Sequence, residues 1–182
     1  MNKHLKILDQ NQIKVTINRL CQQLIENHND FSQTVLVGIQ PRGIFLTNRI
    51  IDKINQSLKS KKVLNGVLDI SFYRDDLRRR EVPIEPNEMK MNISIEEKRV
   101  VLIDDVLFTG RSVRSAIDAL MTFGRPKSVE LLVLVNRRFN RHFPIQPDYI
   151  GRTVDVLESE RILVEWKEIT NEDRVVIKHK TI

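Results

Sequence analysis

The sequence predicts an α/β fold, a twisted and mostly parallel sheet flanked by helices. Residues 34–39, 100–103 and 129–135 read as strands covered on both faces, because apart from Thr34 and Glu130 they carry no polar side chain and do not alternate. The first two run through short loops into stretches with apolar residues at helical spacing. The third is apolar apart from Glu130 near its start and is followed by a polar loop.

Taken in order, Ile13, Ile17, Leu20 and Leu24 form the stripe of a first amphipathic helix, with Asp9 as its N-cap. Cys21 lies beside that stripe as packing. After the strand at 34–39, Gly38-Ile39-Gln40-Pro41-Arg42-Gly43 makes a tight loop into a second helix containing Ile50, Ile51 and Ile54. A strand-loop-helix junction is an anion site, and Arg42 is its candidate ligand. Residues 63–73 alternate over Leu68, Ile70 and Phe72, which predicts a strand with one buried face. From Arg74, Asp75, Asp76 and Arg78 the chain stays polar, with Pro83 and Pro86, until Ile95. Such an excursion, residues 74–95, is either a solvated charged loop or a lid that excludes water from a reacting site. Val113, Ala116, Ile117 and Leu120 mark a third helix, ended by Gly124 and Pro126. The loop after residue 135 faces the same sheet edge as the earlier two. Ile162, Val164 and Trp166, then residues 175–177, predict two short antiparallel strands of structural role.

The chemistry concentrates where the strand at 100–103 ends. Asp104 and Asp105 stand there, followed by Val106, Leu107 and Phe108, and Thr109-Gly110-Arg111-Ser112 opens the helix. Carboxylates accept hydrogen bonds from vicinal hydroxyls, while Thr109, Gly110 and Ser112 offer N–H and O–H donors at a positive helix end. That combination suits a ribose phosphate. An apolar strand ending in two acids also occurs as a Walker B strand or a receiver-domain pocket. No G-x-x-x-x-G-K-[ST] occurs, however, and the acids lie past the middle of the chain.

At 182 residues, 41% hydrophobic and 30% charged, the chain is expected to form one domain over residues 1–182. Its longest apolar run, residues 131–135, is far below a membrane span, and residues 1–10 lack a signal peptide's apolar core. A cytoplasmic protein without membrane partners is expected. Cys21 is the only cysteine, which excludes an internal disulfide or a cysteine zinc site, and His142 has no second ligand at metal spacing. The net charge of +6 favours anionic partners, whether a diphosphate or RNA, and equally suits plain solubility.

Residues 100–112 resemble the phosphoribosyl-pyrophosphate (PRPP) signature of type I phosphoribosyltransferases. The Gly38 to Gly43 loop, the segment Asp69-Ile70-Ser71-Phe72-Tyr73-Arg74-Asp75-Asp76-Leu77, the signature, Gly124-Arg125-Pro126-Lys127-Ser128 and residues 144–151 together resemble the bifunctional pyrimidine-operon attenuators and uracil phosphoribosyltransferases. The likeness runs from Leu8 to about Val176. It implies the type I phosphoribosyltransferase fold with a small hood, placed at about residues 136–182, and a homodimer or larger assembly. The implied reaction joins uracil to PRPP, giving UMP and diphosphate, with Mg2+ carried by PRPP and no direct protein ligand to the metal. By the same resemblance, Asp104, Asp105 and Arg42 are catalytic, and PRPP meets Pro41, Arg42 and the stretch from Asp104 through Ser112. Arg74, Asp75, Asp76 and Arg78 belong to the lid, and Asn136 and Arg137 frame uracil.

Relatives also bind pyrimidine-operon messenger RNA when UMP is present, which here implicates Arg19, Arg138 and Arg141. Asn18 and Gln22 stand where regulatory relatives carry a threonine and a histidine, and Asn136 and Arg138 depart from their Asp-Arg-Gly-His-Arg pattern. An RNA regulator with little catalysis, or an enzyme for another nucleobase, stays open as an alternative.

Overall fold

The computed structural model describes residues 5–58, 62–75, 91 and 93–179. Its main sheet has five parallel strands, β2 (Thr34–Ile39), β3 (Leu64–Leu68), β4 (Arg99–Leu107), β5 (Ser128–Arg137) and β6 (Tyr149–Val154), in the order β3-β2-β4-β5-β6. Because successive side chains point to opposite faces, each central strand feeds two cores. Leu36, Val101, Ile103, Leu132 and Leu134 pack with α1 (Gln10–His28) and α2 (Gly43–Leu58). Val35, Val37, Val100, Leu102, Leu131 and Val133 pack with α3 (Arg111–Leu120) on the other face. Continuous apolar runs in the sequence are the signature of that double coverage.

Asp9 caps α1 as expected: its side chain accepts the Gln12 amide at 2.8 Å, and the Gln12 side chain accepts the Asp9 amide at 2.9 Å. Cys21 is buried, and burial pushes its thiol up to about 12, as befits an inert packing residue.

Several expectations are corrected. The strand expected over 63–73 stops at Leu68, opposite the last residue of β2, Ile39; Asp69 then accepts the Ser71 amide and Ser71–Tyr73 form a single 3-10 turn. Among the described residues β2 is the only strand beside it, and the pairing ends there. The hood does not begin at residue 136, because Asn136 and Arg137 end β5 and residues 149–154 form β6, both in the main sheet. It is a separate antiparallel sheet, β1-β8-β7, in which β7 (Glu160–Glu165) and β8 (Arg174–His179) are the two expected strands and β1 (Leu5–Leu8) joins from the other end of the chain. Trp166 leaves β7 to precede a short helix, α4 (Lys167–Thr170). Met91 and Ile95, assigned to the lid, are buried on the α3 side of the sheet.

Candidate active site

The order of strands reverses between β2 and β4: the chain passes from β2 outward to β3, returns to β4 and continues to the opposite edge. Loops leaving the carboxyl ends of β2 and β4 therefore diverge to opposite faces and open a crevice. Asp105 lines it, and Asp104 adjoins it on β4. β4 runs on to Leu107, so Asp104 and Asp105 lie within the strand and not after it, in the stretch that β5 still covers but β2 has left.

Gly43 brings the opposite wall close. A Cβ at this position would stand 2.4 Å from the Ile103 carbonyl oxygen, so only glycine lets the start of α2 rest on β4 beside the acids. Arg42 is thereby held at the mouth. Its guanidinium donates to the Val164 carbonyl of β7 at 3.4 Å, and its charge acts on both carboxyls. The Gln40–Pro41 peptide is cis.

Burial, and then the neighbouring Asp105, push the Asp104 carboxyl well above the usual carboxylate range. Burial also raises Asp105, with the Arg42 charge opposing it. The Asp105 amide donates to Asp104 Oδ1 at 2.9 Å. Two carboxyls so placed ionise at a cost unless positive charge or hydroxyl donors reach them.

Next to the acids, α3 starts at Gly110, which has φ +88° and supplies no side-chain cap. Its lack of a Cβ also lets Phe143 and Ile145 pack at 3.3–3.6 Å from where that atom would be. The Arg111 amide makes a long contact of 3.4 Å to Thr109 Oγ1, and the start of a helix that its N-cap residue leaves without a side-chain cap favours a phosphate. Thr109 and Ser112 flank that start, both half-buried.

Arg42, Asp105 and Val106 line a cavity of about 510 Å³ with Phe108, Arg137 and residues 161–163 of β7. Arg137 is buried, with its guanidinium 3.9 Å from the Phe108 ring centroid, and donates to the carbonyls of Glu160 at 3.0 Å and Leu157 at 2.9 Å. It therefore ties the hood, at the cavity wall, to Phe108 just beyond the acid-bearing strand. Asn136 instead accepts from Arg141, whose guanidinium also donates to the Phe108 carbonyl.

A family model described as "Phosphoribosyl transferase domain" matches residues 4–168. The curated relative "Bifunctional protein PyrR" of Halalkalibacterium halodurans is 40% identical, covering 96% of this chain and 97% of its own, and that of Bacillus subtilis is 38% identical, covering 97% and 98%. The chain belongs to the PyrR family of phosphoribosyltransferases. In fold it is similar to the hypoxanthine phosphoribosyltransferase of Trypanosoma cruzi, with a TM-score of 0.72 at 14% identity over 96% of each chain.

Other residues expected in a PyrR site are placed as follows. Arg74 and Asp75 follow the 3-10 turn, whereas Asp76 and Arg78 lie outside the described residues. Arg19 is committed to the edge strand, donating to the carbonyls of Ile150 at 3.0 Å and Gly151 at 2.6 Å. Arg138 pairs with Asp155 on the surface. Arg138 and Arg141 share a groove of about 490 Å³ with Phe139, which is 66% exposed; Arg19 does not line that groove but bonds the carbonyl of Ile150, which does.

Sequence reasoning missed the contribution of β7. Arg161, Ile162 and Leu163 reach the cavity through pairing with β8, a long-range contact with no local signature.

Proposed function

We propose that the chain is a uracil phosphoribosyltransferase, converting uracil and PRPP to UMP and diphosphate, and that UMP-dependent binding of pyrimidine-operon messenger RNA is its second activity. The observation that carries the enzymatic reading is the meeting of Asp105 and Arg42 at one cavity, with Asp104 adjoining on β4 and the glycine start of α3 following that strand. Hydroxyls, diphosphate and 5′-phosphate of one ligand each find matching chemistry there. The curated PyrR relatives, named bifunctional, support the pairing of two activities.

In this reading Asp104 and Asp105 accept hydrogen bonds from the ribose hydroxyls, and their negative charge favours positive character at the ribose as its bond to diphosphate breaks. Residues 109–112 hold the 5′-phosphate and Arg42 meets the leaving diphosphate. A ring nitrogen of uracil attacks the ribose carbon and passes its proton to water, while diphosphate departs with the bonding pair of the broken C–O bond. Phe108 and the β7 edge frame the base, with Arg137 holding that edge in place. No covalent nucleophile is needed.

Among the described residues no three His, Cys, Asp or Glu side chains gather into a metal cage. The donor set fits a Mg2+ that arrives on the diphosphate and keeps its waters, with at most the two acids nearby. Such an ion neutralises leaving-group charge. The family resemblance also supports a homo-oligomer in the cytoplasm.

The RNA reading is favoured by the exposed Phe139 ring, a stacking face in a groove that it lines with Arg138 and Arg141, whose guanidiniums would have to exchange Asp155 and Asn136 for phosphate. Incubation with PRPP and Mg2+, and with uracil, orotate, hypoxanthine or adenine in parallel, tests the enzyme. UMP from uracil alone is expected. Another monophosphate would change the substrate, and no product from any base would leave the RNA regulator, to be tested against a scrambled-loop RNA.

A further inference from the structure

Arg111, the first residue of α3, joins three loops. Its guanidinium forms an ion pair with Asp75, its Nε donates to His142 Nδ1 at 3.2 Å, and it lies 5.6 Å from the centroid of the Phe143 ring. The turn that carries Asp75 is anchored separately, because Arg114 donates to the Tyr73 carbonyl at 3.2 Å and lies 5.9 Å from the same ring. The loop that carries His142 and Phe143 is anchored too, with both amides donating to the Thr109 carbonyl at 2.9 and 3.3 Å. The Asp75–Arg111 pair is thus placed by the surrounding fold and is not a chance meeting of two long side chains.

Its position is what matters. A cation at the phosphate-binding end of a helix is already neutralised by an internal carboxylate. The two side chains keep 47% and 37% of their exposure, so the pair can be exchanged for an incoming anion. We propose that Asp75 is a built-in competitor for the ligand's phosphate at Arg111, and that Arg111 is the positioning residue through which occupancy of the phosphate loop releases the turn carrying Asp75. The proposal rests on the PRPP reading of the α3 end. Ligand phosphate takes the Arg111 guanidinium, Asp75 loses its partner, and like charge then drives the carboxylate away from the loop. Binding energy is spent in breaking the pair, so affinity in the intact protein is lower than the loop itself would provide.

The test is calorimetric titration with Mg2+ and PRPP, without base, of the wild type, Asp75→Asn, Arg111→Gln and the double variant. Asp75→Asn is expected to tighten binding by about two- to fivefold, the range of a partly exposed charge pair. In the Arg111→Gln background, the same change should have no effect, because the contested cation is gone. Equal or weaker binding by Asp75→Asn, or tightening that persists in the double variant, would overturn the proposal. Wild-type protein that binds no PRPP would instead remove the phosphoribosyltransferase reading and this proposal with it, whereas tight wild-type binding unchanged in Asp75→Asn would remove only the competitor. Melting curves of each variant separate misfolding from a change at the site.

Discussion

Replacing Arg137 by Met tests whether the hood is held over the cavity by this one buried cation. Two hydrogen bonds, to Glu160 and Leu157, and the stack on Phe108 are lost. Bonds from charged donors contribute about 1.5–3 kcal/mol each. Leu157 is 68% exposed, so water replaces part of that loss on the turn and the lower end applies. The stack adds about 1–2 kcal/mol in a desolvated setting. Against this, Arg137 Nε is buried without an acceptor, a cost of about 1–3 kcal/mol that Met removes. The net loss is about 2 kcal/mol, or about 4–8 °C in Tm for a chain of this size. Arg137→Lys keeps the charge but loses the fork and the flat stacking face, so it is expected to be no more stable than the Met variant. In both variants the KM for uracil should rise about tenfold while that for PRPP stays near wild type, because the β7 edge shifts and the α3 end does not. Thermal melting and steady-state kinetics with each substrate varied are the assays. A Met variant with wild-type Tm and unchanged uracil KM would refute the role of Arg137 as a tie.

Three more outcomes follow from the same geometry. Asp104→Asn keeps an oxygen for the Asp105 amide but removes a charge that burial and Asp105 disfavour, so turnover should collapse while Tm at pH 7 rises by a few degrees; because the Asp104 carboxyl is raised, that gain should shrink on acidification toward the ordinary value of 3.8, and a lowered Tm at pH 7 would refute it. Gly43→Ala drives a methyl into the Ile103 carbonyl and should cost about 1–3 kcal/mol together with most activity, read from denaturant melts and turnover; a variant of wild-type stability would contradict the close approach. At the opposite end of the sheet, His28 meets Tyr149 at 3.1 Å and Glu130 at 3.2 Å, with Arg99 on the other Glu130 oxygen at 2.9 Å. Burial lowers His28 below 6.5, so the unfolded chain binds the extra proton first and stability falls as pH drops below that value; Glu130 is resisted by burial but held down by Tyr149 and Arg99, which adds a second fall below 4.5. A His28→Gln variant should lose the first fall and keep the second in a plot of Tm against pH; an unchanged profile would exclude His28 as its source.

Much of the site was legible because its parts are local. Asp104, Asp105 and residues 109–112 belong to one strand-loop-helix unit, and Arg42 with Gly43 to another, and each unit announces itself by an apolar run, a glycine and a helical stripe. Asp9 and Gln12 likewise declare a helix start three residues apart. The misreadings share a cause. Residues 70–73 alternate like a strand but have no neighbour among the described residues once β2 has ended, and residues 149–154, placed in the hood, become a strand of the main sheet because β5 offers them an open edge. Polar residues were the hardest to place, since the same arginine can stack, cap a carbonyl or meet a ligand. Arg19 turns to the β6 carbonyls, Arg137 to the hood turn and Arg141 to Asn136 and Phe108.

The sequence by itself determined the fold class, the glycine-led helix start of α3 and the acid pair, because backbone geometry and side-chain periodicity act over a few neighbouring residues. Only the tertiary structure decided that β1 completes the hood from the far end of the chain, that β7 closes the cavity, and that Asp75 reaches Arg111 across 36 positions. Those contacts join segments that know nothing of each other until the sheet order brings them to one edge.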